Sequence, residues 1–322
     1  MISVMGYGFQ GQGQTTMSYR IRGVLAPVLT PFDEHLKPDV QRFIAHCRWL
    51  IDKQVGLAIF GTNSEAASLS VDERISLTDA ILAAGIPAAR LMPGTGCCSI
   101  TDAIRLTKHA VENGAAGALM LPPFFFKGVS DEGLYAYYSE VIEQVGNDRL
   151  KVYLYHIPQF THVPITLRLI EMLRKRYPDT VVGAKDSSGD WDNTKAMIDN
   201  FAKDGFDVFP ASESLLSSAL PLGAAGCISA TVNMNPVGIH ALYQGWRTPQ
   251  GKDLQVSADV IRKIFQAVPM IPAMKRVVAE FSGDPVWKTV RPPLCDLDGA
   301  NTKSVLAALH EAQFNMPDYP SR

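Results

Sequence analysis

Three short segments carry side chains able to do carbonyl chemistry. In VVGAKDSSGD an apolar run ends on Lys185. A lysine at the mouth of a folded core is partly desolvated, which favours the neutral amine, and the neutral amine is the form that attacks a carbonyl carbon. The same residues also fit a lysine ion-paired with the adjacent Asp186. In FGTNSEAASLS, Gly61 permits a tight turn, while Thr62, Asn63 and Ser64 offer hydroxyl, amide and backbone donors ahead of a helix. That geometry suits a carboxylate or a phosphate. In VYLYHIP, Tyr155 sits at the tip of an apolar run, where a phenol can pass protons or simply pack against a loop. Its neighbour His156 should face the other way on a strand and reads as structural.

These residues need a scaffold, and the chain supplies a regular one. Short apolar runs at Val24–Leu29, Gly56–Phe60, Arg90–Pro93, Gly117–Leu121, Val152–His156, Val181–Lys185, Asp207–Pro210 and Gly226–Ser229 alternate with helical patterns. The helical patterns lie near Val40–Lys53, Val71–Ala84, Ile100–Asn113, Glu132–Val145, Leu167–Arg176, Asn193–Ala202 and Leu215–Leu220. Runs such as LAIF, ALML and VYLY are apolar throughout, as strands buried on both faces must be. Ser70 with Glu73, and Ser99 with Asp102, have capping-box spacing at two helix starts. Eight such units in order predict an α/β fold, a (β/α)8 TIM barrel over residues 21–240. Helical periodicity over 241–322 predicts a small C-terminal helical appendage, and the Gly- and Gln-rich residues 1–20 read as a flexible extension.

Composition narrows the function. The 322 residues are 47% hydrophobic and 19% charged, with a net charge of −2, so no basic face invites nucleic acid. No apolar run is long enough to span a bilayer, and the N-terminus lacks a signal-peptide pattern. The five cysteines show no CxxC spacing, which points to reduced thiols and a cytoplasmic protein. Neither they nor the seven histidines have metal-ligand spacing, so no metal or other cofactor is expected.

An anion-binding loop after the second strand, a tyrosine on the fifth and a lysine on the sixth resemble the dihydrodipicolinate synthase / N-acetylneuraminate lyase family of class I aldolases. The segments GVLAPVLTPFDE, GTNSEAASLSVDER, LPPFFFKGVSDEGLYAYY, YHIP, VVGAKDSSGD and LPLGAAGCIS carry the resemblance from about Gly23 to the C-terminal helices. It implies that Lys185 forms a Schiff base and that Tyr155 moves protons. It further implies that Thr62 and Asn63 bind the carboxylate of a 2-oxo acid, that Ile228 contacts substrate, and that Gly61 and Glu65 are structural. The family habit implies a homo-oligomer, a dimer or tetramer.

The departures are as informative. Phe125 stands where the family usually has a tyrosine that completes a proton relay in a neighbouring subunit. Phe160 stands where the synthase has an arginine for its second substrate, and a phenylalanine cannot pair with a carboxylate. The sialate-cleaving branch has a Gly-x-Asp-Glu run where this chain has ASES, and a serine where it has Ala230. Ser212 and Glu213 can still hydrogen-bond a polar substrate tail, or serve as an ordinary helix N-cap. The expectation is a lyase acting on pyruvate or a 2-oxo-3-deoxy acid, with dihydrodipicolinate synthesis itself disfavoured. A dehydratase using the same imine and a non-catalytic 2-oxo acid binder are the alternatives.

Overall fold

The structure is a computed structural model that describes residues 20–321. The expected flexible extension over 1–20 therefore lies, except for its last residue, outside the described residues. Among the described residues seven strands follow one another: β1 Gly23–Ala26, β2 Gly56–Leu57, β3 Ala118–Met120, β4 Val152–His156, β5 Val181–Asp186, β6 Asp207–Pro210 and β7 Gly226–Ile228. All of their pairings are parallel, in the orders β2-β1-β7 and β3-β4-β5-β6.

Hydrogen bonds close these two sheets into a barrel. Residues 91–94 form the missing stave: Met92 and Gly94 donate to the Leu57 and Ile59 carbonyls at 2.8 and 2.7 Å, and Leu119 donates to Pro93 at 2.8 Å. The Ala225 amide joins β7 to β6 by donating to Val208 at 2.9 Å. The predicted strand Arg90–Pro93 is thus not a regular strand. Arg90 ends a 3-10 turn, and Pro93 has no N–H for the ladder, so only isolated bridges form there. The fifth and sixth strands expected from the sequence are β4 and β5.

The wrapping helices are α1 Val40–Asp52, α2 Val71–Ala83, α3 Ile100–Glu112, α4 Asp131–Val145, α5 Pro158–Thr161, α6 Leu167–Arg176, α7 Trp191–Phe201, α8 Leu216–Ala219 and α9 Pro236–Gly245. Three more follow: α10 Gly251–Gln266, α11 Met270–Ser282 and α12 Gly299–Glu311. Ser70 and Glu73 make both bonds of the expected capping box at α2, whereas Ser99 at α3 only accepts from the Asp102 amide.

Alternation along the strands divides the core. Leu25, Leu119, Tyr153, Tyr155, Val182, Phe209 and Ile228 fill the barrel interior. Val24, Ala26, Val152, Leu154, Val181 and Ala184 face the helices. No helix among the described residues is long and apolar enough to cross a membrane.

A buried histidine couples this packing to pH. His46 of α1 is fully buried, its ring nitrogens within 3.1 Å of Asn233 Oδ1 and 3.0 Å of the Tyr319 hydroxyl. Burial pulls its pKa down to about 4 from the usual 6.5, against the bond to Asn233, which favours the proton. Below pH 6.5 the unfolded chain therefore takes a proton that the folded chain refuses, so stability falls with pH until about pH 4. The full shift corresponds to about 3 kcal/mol. A His46→Gln variant should flatten the decline in Tm between pH 6.5 and 4.5, measured by calorimetry at closely spaced pH values.

Candidate active site

The lysine owes its orientation to one irregularity in the sheet. β4 and β5 pair Val152 with Val181 but then Tyr153 with Gly183, so one residue, Val182, is skipped. A one-residue shift moves side chains to the opposite face. Beyond it Gly183 and Lys185 face inward beside Tyr153 and Tyr155, while Ala184 and Asp186 face out. Gly183 is required here, because a Cβ would stand 2.4 Å from the Asp207 carbonyl oxygen and 2.6 Å from the Tyr153 ring.

Tyr155 and Lys185 are register partners on adjacent strands, and parallel neighbours lie about 4.8 Å apart. Lys185 Nζ consequently donates to the Tyr155 hydroxyl at 3.2 Å and lies 4.3 Å from the centre of its ring. Both residues are 2% exposed. Asp186 is not the lysine's partner: its carboxylate accepts from the Ser188 amide, Asn193 and Thr194 on the helix side, at 2.9, 3.0 and 2.6 Å. His156 is likewise occupied outside the barrel, its Nδ1 accepting from the Ile165 amide at 2.9 Å.

The loop after β2 brings the third group. Thr62 Oγ1 lies 3.0 Å from the Tyr155 hydroxyl, which links threonine, tyrosine and lysine in one hydrogen-bonded chain. Burial alone would push the Tyr155 pKa up, but the lysine charge and the bonds from Thr62 and Lys185 prevail and hold it below the usual phenol value. Thr62–Ser64 form a 3-10 turn whose own bonds are donated by the Ser64 and Glu65 amides, leaving those of Thr62 and Asn63 unused within the turn.

The loop is bracketed by two non-glycine residues in left-handed backbone, Phe60 at φ 60° and Glu65 at φ 55°. Such positions persist only where surroundings over-determine them. Gly94 packs so closely beneath that a Cβ there would meet the Phe60 carbonyl oxygen at 2.0 Å. The fully buried Glu65 carboxylate forms an ion pair with Lys275 of α11 and accepts from the Arg291 amide at 2.9 Å. Lys275 also donates to the Thr289 carbonyl at 2.8 Å. Burial pulls the Lys275 pKa down to about 8, with Glu65 opposing only part of that effect.

A cavity of about 440 Å3 opens above these groups. Of the residues singled out in the sequence, Thr62, Asn63, Tyr155, Lys185 and Ile228 line it together, with Phe160 and Ala230 on its walls. Ser212 and Glu213 do not line it. Ser212 caps the Ser214 amide, and Glu213 is fully buried, accepting hydroxyl hydrogens from Ser229 and Thr231. Phe125 lies outside the cavity, 74% exposed and stacked edge-on with Phe126.

Sequence patterns at the strand ends do not point to Arg262 of α10, residues 269–272 or Leu294, which also line the cavity together with Ile157, Gln159, Ser187 and Ala211. One signal was available: Arg262 stands four residues after Ala258 and three before Phe265, on the buried stripe of its helix. No group of His, Cys, Asp and Glu among the described residues is arranged to hold a metal.

Known proteins share this arrangement of strands and helices along nearly the whole chain. A sequence profile of the dihydrodipicolinate synthetase family matches residues 20–312. The chain belongs to that family. An uncharacterized DapA-like lyase of Chloroflexus aurantiacus is 32% identical over 292 residues, 89% of this chain and 95% of its own. A 4-hydroxy-tetrahydrodipicolinate synthase of Methanococcoides burtonii is 29% identical, covering 90% and 97%. Among solved structures, dihydrodipicolinate synthase from Agrobacterium tumefaciens superposes with a TM-score of 0.83 at 29% identity, over 91% of this chain and 99% of its own. YagE, a prophage protein of the same family from E. coli K12 solved with pyruvate, gives 0.82 at 26% identity over the same shares. With this family membership, the barrel fold and a lyase ancestry are established for the chain.

The bond between Glu65 and Lys275 yields a test of how the loop is held. Lys275→Met strands a buried carboxylate and should cost about 3–5 kcal/mol in urea unfolding. Adding Glu65→Gln to it should recover part of that loss, which unrelated packing damage would not permit.

Proposed function

We propose that the protein is a Schiff-base lyase that takes pyruvate or a 2-oxo-3-deoxy acid and breaks or forms a carbon–carbon bond. The observation that carries this reading is the chain of Thr62, Tyr155 and Lys185 hydroxyl and amine groups lining one cavity. The substrate carboxylate sits against Thr62 and Asn63, which offer a hydroxyl, a side-chain amide and two backbone N–H groups. This directs the C2 carbonyl toward Lys185 Nζ.

The neutral lysine nitrogen adds to C2, and the Tyr155 hydroxyl gives its proton to the new alkoxide while taking one from the nitrogen, which yields the neutral carbinolamine. The carbinolamine hydroxyl then takes a second proton, drawn from solvent through Tyr155, and leaves as water, with Thr62 holding the phenol in line. The resulting iminium withdraws electrons from the C3–C4 bond. In the cleaving direction the C4 hydroxyl loses its proton, the C3–C4 bond breaks to release an aldehyde, and the enamine left behind is protonated and hydrolysed to pyruvate. A phenol whose pKa is lowered is suited to this exchange, because it gives and takes protons near neutrality more readily than a free tyrosine. A dehydratase would use the same imine and expel a hydroxyl.

Dihydrodipicolinate synthesis is not the proposed reaction, since Phe160 on the cavity wall offers no charge to a second substrate. We further propose a cytoplasmic homo-oligomer without a resident cofactor, on the family habit and the absence of metal-ligand spacing.

Borohydride reduction in the presence of pyruvate should add the pyruvyl mass to the peptide containing Lys185. Lys185→Met should give no adduct, and a wild-type protein left unmodified by pyruvate and by a panel of 2-oxo-3-deoxy acids would sink the reading. Tyr155→Phe should still form the adduct but about 100-fold more slowly, in line with the loss of a positioned acid–base group. Aldehyde or dehydrated product from the same panel then identifies the bond broken.

A further inference from the structure

One guanidinium on the cavity wall has three of its five N–H donors unspent. Arg262 is 12% exposed at its side chain and lines the cavity that holds Lys185. Both of its hydrogen bonds leave from Nη1, to Ser229 Oγ at 2.9 Å and to Glu213 Oε2 at 3.5 Å. Its Nε is buried with no hydrogen-bond partner. The guanidinium is planar, and Nε and Nη2 point their hydrogens from one edge in a fork spaced for the two oxygens of a carboxylate. Nη1 faces away from that edge.

The surroundings leave that edge unsatisfied, with Nε buried and without a partner. Glu213 is fully buried and already accepts from Ser229 and Thr231, and the Gln255 side chain holds its backbone carbonyl at 3.1 Å. It acts as an anchor, holding the guanidinium by Nη1 and keeping its orientation fixed. A buried donor without a partner is costly, and desolvated polar groups usually have one. Much of the remaining wall is apolar, with Ile228, Met270 and Leu294 among its residues, so the missing partner must come with the ligand.

We infer that Arg262 binds a second carboxylate, at the end of the substrate remote from its 2-oxo acid group, so that the preferred substrate is a dicarboxylic 2-oxo acid. This rests on the Schiff-base reading only for the orientation of the substrate. The charge comes from α10, not from the segment after β4, where Phe160 has removed one. A bidentate, charge-assisted pair in a desolvated site is worth about 10- to 100-fold in affinity.

The test compares acids matched in length: 2-oxoglutarate, 2-oxoadipate and 2-oxopimelate against 2-oxopentanoate, 2-oxohexanoate and 2-oxoheptanoate. Half-saturation is read twice, by borohydride trapping on Lys185 and by calorimetric binding without borohydride. At one or more lengths the diacid should half-saturate at about 10- to 100-fold lower concentration than its partner. In R262M that ratio should fall to near one, and in R262K, which keeps the charge but not the fork, to a few-fold. The ratio is taken within each variant, so a general loss of binding cancels. Equal affinities at every length in the wild-type protein, or a ratio that survives in R262M, would overturn the inference. Selective binding of diacids without any adduct on Lys185 would instead overturn the Schiff-base reading and leave Arg262 as the carboxylate site.

Discussion

The ion pair between Glu65 and Lys275 is the constraint on which the site depends. Both groups are fully buried, and the downward shift of the lysine indicates that desolvation outweighs the attraction of its partner. A pair of this kind adds little to stability compared with a well-packed apolar contact, but losing either member is severe. Its value here is geometric. Glu65 sits in left-handed backbone two residues after Asn63, and its carboxylate is bolted to α11 and to the Arg291 amide. The loop that offers Thr62 to Tyr155 is therefore clamped from the C-terminal helices, while Gly94 supports it from within the barrel.

The second constraint lies in the sheet. The skipped residue at Val182 sets the phase of β5, and that phase decides whether Lys185 or Asp186 faces Tyr155. Since Lys185 and Asp186 are adjacent in sequence, distance along the chain does not separate an ion-paired lysine from one that faces the barrel interior. The direction of two side chains does. Asp186 spends its oxygens on the start of α7, which leaves Lys185 with a phenol as its hydrogen-bond partner.

Much of the barrel was legible because burial on both faces leaves an unmistakable apolar run, as in VYLY. Arg90–Pro93 misled because its apolar residues do span a stave, but a proline cannot complete a ladder. Thr62, Asn63, Tyr155 and Lys185 could be found because strand ends are where a barrel exposes its chemistry. Arg262 and the Pro269–Pro272 segment could not be found by that rule, since they come from helices beyond the last strand. Their approach to Lys185 is a matter of tertiary packing that no local period encodes. Glu213 illustrates the reverse error: an acid at a matching position reads as a ligand contact, whereas here it is spent on anchoring a neighbour.

The cavity is thus assembled from two kinds of backbone. Lys185 and Tyr155 belong to strands locked by main-chain ladders. Arg262, Met270 and Leu294 belong to segments that follow the last strand and are held by side-chain packing. Inheritance can act on these two parts separately. Change in the final third of the chain can reshape one wall of the cavity while the lysine and tyrosine at its base stay untouched. A lineage built this way diversifies by exchanging one jaw of a vice whose other jaw is fixed.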